Sequence, residues 1–202
     1  MNNPFASRRV RPGAIPFQFP DGLDAVEFVA RLARLGWRGA IIGPHGTGKS
    51  TLLAALAPEL ERAGRNVRSI ALHDGQRRLP QEFLAVLPPN GDGLIIVDGY
   101  EQLSFWSRWR LDRRCRAIGA GLLVTAHGPT SLPLLFRTAA DEELAERIVG
   151  HLLAATDDRA PAIRRDDVRR AWSKHRGNLR ETLFDLYDAY ERQRADRAES
   201  NC

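Results

Sequence analysis

Gly43-Pro44-His45-Gly46-Thr47-Gly48-Lys49-Ser50 is the stretch whose reading decides the fold. It matches the pattern G-x-x-x-x-G-K-[ST] in full. Glycines let the backbone turn so that successive N–H groups converge on a phosphate, at the positive end of the helix that follows. In such a loop Lys49 reaches the β- and γ-phosphates, and the Ser50 hydroxyl ligates magnesium. The chain has 28 arginines and 2 lysines, so Lys49 is a rare residue here. A compact ammonium on a flexible stem suits a phosphate cradle better than a planar guanidinium. The expected nucleotide-contacting set is Gly43, Pro44, His45, Gly46, Thr47, Gly48, Lys49, Ser50 and Thr51.

Working outward, the apolar run 39–42 reads as the strand that enters the loop, and Lys49–Ala63 reads as the helix that leaves it. Val67–Leu72 predicts a second strand. Leu94–Val97 predicts a third, wholly apolar between Gly93 and Asp98, as a buried parallel strand should be. Leu103–Ile118 has helical spacing, Leu122–Thr125 predicts a fourth strand, and Leu132–Phe136 a fifth. Alternating strands and helices of these lengths predict a parallel α/β sheet flanked by helices. Asp24–Leu35 predicts a helix ahead of it, stopped at Gly36. Beyond Thr138 the texture becomes wholly helical, at Asp141–Ala155, Arg165–His175 and Asn178–Arg194. The predicted organisation is an extended arm over 1–22, which holds four of the twelve prolines, an α/β nucleotide-binding domain over 23–140, a small all-α lid domain over 141–195, and a disordered tail over 196–202.

Bulk properties narrow the function. At 202 residues and 43% apolar content the chain can bury a core, and no apolar run approaches the roughly 20 residues of a membrane span. The N-terminus has no signal-peptide pattern, so a cytoplasmic location is expected. The two cysteines, Cys115 and Cys202, are too few for a disulfide framework or a metal cluster. A net charge of +5 leaves nucleic acid possible, but the 25 acids are mixed among the bases and no basic stripe stands out, so it is not the favoured partner. Phe105, Trp106 and Trp109 read as packing or an interface rather than a base-stacking platform.

Further residues carry candidate chemistry. Asp98 ends the buried third strand, where a second magnesium-holding carboxylate belongs, although a turn aspartate has the same appearance. The position directly after it, where a water-activating acid commonly stands, is Gly99. The next acid is Glu101, which reads either as the catalytic base or as a favourable first-turn charge. Thr125 and His127 follow the fourth strand at the edge that faces ligands in such sheets. Either could meet the γ-phosphate or its attacking water, or be a strand threonine and a loop histidine. Gly177-Asn178-Leu179-Arg180-Glu181 opens the last helix, with Asn178 as N-cap and Glu181 spaced for a capping box. Arg180 in the first turn opposes the helix dipole and asks for an anion.

Together these features resemble the AAA+ ATPases, a branch of the ASCE-type P-loop ATPases, over about residues 22–192. The resemblance implies ATP with magnesium, a "sensor 2" role for Arg180, a "sensor 1" place for Thr125, and assembly into a homo-oligomer around an unknown protein client. The chain departs from the family's pattern at Gly99, and Asp98-Gly99-Tyr100-Glu101 is more similar to the STAND signalling ATPases. The arginine finger has no clear address, with Arg137, Arg113, Arg114 and Arg116 as contenders. Asp74-Gly75-Gln76-Arg77 is similar to the ABC-transporter signature, but only 23 residues separate it from Ser50, too few for the subdomain between them in that family. The guanine-reading N-K-x-D of GTPases has no match at Lys174, the other lysine. The expected function is an ATP-hydrolysing conformational switch. Its alternatives are a regulatory ATP-binding module with little hydrolysis, and a small-molecule phosphotransferase closing Arg108, Arg110, Arg113 and Arg114 over an acceptor.

Overall fold

A computed structural model describes residues 3–85, 91–154 and 163–200. The apolar runs become five parallel strands: β1 (Arg38–Ile42), β2 (Asn66–Ala71), β3 (Gly93–Asp98), β4 (Gly121–Ala126) and β5 (Leu134–Arg137). Their order in the sheet is β2-β3-β4-β1-β5. β4 therefore lies between β1, which leads into the phosphate loop, and β3, which ends in Asp98.

Alternate residues of each run serve opposite cores, because strand side chains alternate faces. Ala40, Ile42, Ile95, Val97, Leu122 and Val124 pack with Leu111 and Cys115 of α5 (Phe105–Ala117). Ile41, Leu94, Ile96, Leu123 and Leu135 pack on the other face with α2 (Ala25–Arg34) and α3 (Lys49–Arg62), through Phe28, Leu32, Leu52, Leu56 and Leu60. The central strands β3 and β4 are buried almost throughout, whereas β2 at the sheet edge alternates with solvent. Asp24 caps α2 by accepting from the Glu27 N–H.

Several boundaries differ from the sequence reading for local reasons. The expected helix Leu103–Ile118 is α5, which starts at Phe105 because Ser104 caps it by accepting from the Ser107 N–H, and an unpredicted 3₁₀ turn at Tyr100–Gln102 precedes it. A short α4 (Gln81–Ala85) lies where no element is predicted. The N-terminal stretch 1–22 is not an extended arm throughout. It contains α1 (Ser7–Val10), and Phe5 and Ile15 are buried in a helical core.

The chain divides into two compact units. One consists of Phe17–Gly43 and Leu52–Thr138 and holds the sheet. The other gathers the N-terminal residues through Pro16, the phosphate loop Pro44–Thr51, and the chain from Ala139 onward. This second unit contains α6 (Glu142–Ala154), α7 (Arg165–Lys174) and α8 (Leu179–Ser200). Leu179, Leu183, Leu186 and Tyr190 form the buried stripe of α8, at the spacing that keeps side chains on one helix face. They meet Ala145, Ile148, Val149 and Leu152 of α6 and Val168 and Ala171 of α7. Phe5 packs edge-on against Tyr190, and Asn3 donates to the Tyr187 carbonyl and to Glu191. The predicted tail from 196 is helical through Ser200, while 155–162 and 201–202 lie outside the described residues.

Candidate functional site

The phosphate loop starts from Gly43, whose N–H donates to the Ala126 carbonyl at the end of β4 (3.1 Å). Gly46 (φ 72°) and Gly48 (φ 88°) both adopt the left-handed conformation that L side chains resist, and α3 begins immediately after, at Lys49. The turn is braced internally. The Pro44 carbonyl accepts from Thr47 Oγ1 (2.8 Å) and from Lys49 Nζ (2.7 Å), and both side chains are buried. The ammonium is thus folded back over its own loop. Ser50 and Thr51 are half-buried in the first turn of α3, while Pro44 and His45 are exposed.

The start of α8 rests on this loop, within the same compact unit. A Cβ at Gly46 would collide with Asn178 Oδ1, and would lie 2.8 Å from Asn178 Cγ and 3.2 Å from the Arg180 N. Asn178 is the N-cap that the sequence predicts. Its Oδ1 accepts from the N–H of Arg180 (3.1 Å) and of Glu181 (3.3 Å). The second half of the predicted capping box is replaced: the Asn178 N–H goes to the His175 carbonyl. Arg180 is exposed, its guanidinium 5.7 Å from the Phe184 ring centroid. Asn178 is the residue that the sequence reading undervalued, since it serves as a cap and as the contact with the loop. A signal existed in Gly46, a glycine at a position of the pattern that tolerates any residue.

A second constellation lies at the strand tips of the sheet unit. Thr125 is fully buried; its hydroxyl donates to Asp98 Oδ1 (2.5 Å) and accepts from the Gly99 N–H (2.9 Å). That engagement orients the carboxylate of β3 from the neighbouring strand and leaves Asp98 Oδ2 without a protein partner among the described residues. Gly99 has φ 84°, and a Cβ there would press to 2.9 Å from the Leu72 carbonyl oxygen. A glutamate directly after Asp98 is therefore sterically excluded, and the nearest acid is displaced to the 3₁₀ turn. There Glu101 Oε1 lies 3.0 Å from His127 Nδ1, while Glu101 Oε2 is buried and has no hydrogen-bond partner among the described residues. Arg108 ties the turn down by donating to the Glu101 and Leu103 carbonyls. Two pairs thus form at the strand tips, Asp98 with Thr125 and Glu101 with His127, their members 27 and 26 positions apart in sequence. Cys115 lies buried, and burial pushes its thiol up to about 11, against the opposing pull of Arg38.

No family profile and no curated protein sequence matches the chain. Solved structures do. A Thermotoga maritima RuvB mutant aligns with a TM-score of 0.54 at 14% identity, over 78% of this chain and 59% of its own. A DNA replication initiation factor gives 0.52 at 16% identity, over 84% and 62%. DnaA from Aquifex aeolicus, bound to AMPPCP, gives 0.51 at 16% identity, over 91% and 68%. The chain thus spans about three fifths to two thirds of these proteins. They are AAA+ ATPases, and the fold of this chain is the AAA+ P-loop fold, an α/β sheet with a C-terminal helical region. No helix of the described residues is long and apolar enough to cross a membrane.

Proposed function

We propose that this chain, built on the AAA+ fold, binds ATP with magnesium at Gly43–Thr51, hydrolyses it, and uses the nucleotide to set the state of its helical region. The observation that carries this reading is the phosphate loop itself. Two left-handed glycines, an inward-folded Lys49 and a helix beginning at that lysine make a preformed anion cradle. The AMPPCP held by the Aquifex aeolicus neighbour supports a nucleoside triphosphate as the ligand.

In this reading Lys49 Nζ exchanges the Pro44 carbonyl for the β- and γ-phosphate oxygens. The Ser50 hydroxyl and the Asp98 carboxylate, hard oxygen donors of the kind magnesium takes, would hold the ion, which would supply charge neutralisation at the phosphates. Thr125 holds Asp98 in one orientation, so its role is positioning rather than contact with the γ-phosphate. Glu101 accepts a proton from the attacking water at Oε2, while His127 fixes the carboxylate through Oε1. Arg180, carried by the helix whose cap touches Gly46, reports the γ-phosphate to the helical region.

A regulatory module with little hydrolysis is the second reading. It is favoured by the displaced acid at Glu101 and its engagement with His127. Phosphate release by the parent and by Glu101→Gln decides between them. The expected result is measurable turnover that the variant loses while still binding ATP. Unchanged turnover in the variant would remove Glu101 from the chemistry. Tight binding without turnover in the parent would overturn hydrolysis in favour of the regulatory module.

A further inference from the structure

The exposed side of α5 carries side chains that neither the core nor the nucleotide site uses. Phe105, Trp106 and Trp109 are 72%, 69% and 46% exposed. Of the two expected readings, packing or an interface, packing is corrected: Leu111 and Cys115 occupy the buried side of the helix and leave the aromatics opposite. Their rings meet nearly at right angles, Phe105 on Trp106 at 5.7 Å and Trp106 on Trp109 at 6.2 Å, and do not stack face to face on one another. Arginines are interleaved with them. Trp106, Trp109, Arg110 and Arg113 recur at i, i+3, i+4 and i+7, one stripe of a helix about 10 Å long. The Arg113 guanidinium lies 5.4 Å from the Trp109 ring centroid. Arg110, Arg113 and Arg114 make no ion pair among the described residues, and the one acid of the helix, Asp112, is tied to Arg38 and Arg116.

We propose that this face of α5 binds single-stranded nucleic acid, its open rings stacking bases and Arg110, Arg113 and Arg114 pairing phosphates. Charge chooses the occupant. An apolar groove on another protein would cover the rings but would also take unpaired guanidinium groups out of water, a costly step. A single strand supplies flat bases and anions alternately, matching the alternation of rings and guanidiniums along the stripe. The footprint is short, so the affinity expected is modest, on the order of 1–100 μM near physiological salt, and it rises as salt is lowered.

The test uses the full chain and fluorescein-labelled thymidine and uridine oligonucleotides of about 16 nucleotides. Binding is read by anisotropy across a salt series and by quenching of tryptophan fluorescence. The parent should bind and be quenched, and comparison of the two probes assigns DNA or RNA. Trp106→Ala with Trp109→Ala should weaken binding about tenfold or more while keeping the salt slope. Arg110→Gln with Arg113→Gln should flatten that slope by about 1.4, roughly 0.7 per released phosphate contact. All four positions are exposed, and thermal melts check that the variants stay folded. Saturating ATP with magnesium should leave binding unchanged. The proposal is overturned if the parent fails to bind at low salt, which would return the face to a protein contact. It is equally overturned if both double variants bind like the parent, or if ATP displaces the strand, which would place it on the phosphate loop.

Discussion

Replacing Gly46 by alanine perturbs the loop in two ways that the structure separates. The backbone there has φ 72°, and holding a residue with a Cβ in the left-handed region costs about 1–2 kcal/mol. The new Cβ would also collide with Asn178 Oδ1 and stand 2.8 Å from its Cγ, far inside contact distance, so the asparagine must leave its place. Moving it breaks the two hydrogen bonds that cap α8, a loss of about 1 kcal/mol. Gly46→Ala should therefore destabilise the protein by about 2–3 kcal/mol in urea unfolding. Asn178→Gly alone should cost only a few tenths of a kcal/mol, since glycine is a tolerated cap. With both changes present the collision disappears and only the backbone cost remains. The double variant should therefore be more stable than the single Gly46→Ala variant. The coupling is thus about 1 kcal/mol, measured as a double-mutant cycle. Additivity within about 0.5 kcal/mol would refute the contact between loop and cap.

Arg180→Ala should weaken a non-hydrolysable ATP analogue about ten- to hundredfold in calorimetry and ADP much less, because only the triphosphate offers the terminal charge. Equal losses for both nucleotides would leave Arg180 as a support of α8 alone. Thr125→Val keeps the shape of the side chain but strands the Gly99 N–H and frees Asp98. It should cost about 1–3 kcal/mol in stability and raise the magnesium concentration needed for half-maximal ATP binding, whereas Thr125→Ser should restore both. A valine variant with an unchanged magnesium requirement would detach Thr125 from the metal site.

The centre of the sheet was legible because β1, β3 and β4 carry continuous apolar runs, that of β3 bounded by glycine and aspartate, and because the loop pattern fixes what must precede and follow it. Asp98 was readable for the same reason: it ends such a run. Less legible were features created by contacts between distant residues. Thr125 looks like a ligand-facing strand end until its hydroxyl is found committed to Asp98 and Gly99. Gly99 looks like a missing catalytic acid until the Leu72 carbonyl is found where its side chain would go. Gly46, a glycine where the pattern tolerates any residue, hints at a close approach, but nothing local says that its neighbour is Asn178, more than 130 positions away. The aromatic residues of α5 were readable in principle, since Leu111 and Cys115 already mark the buried side of that helix. Their spacing left packing and an interface both open, and only their exposure separates the two.

Triphosphate binding at the phosphate loop is tested most directly by calorimetric titration of the parent and of Lys49→Ala with an ATP analogue and magnesium. The parent should bind, and the variant should lose binding by about a hundredfold or more, since a buried ammonium at the β/γ-phosphates is removed while the fold persists. A folded Lys49→Ala protein that binds the analogue as tightly as the parent would contradict the account.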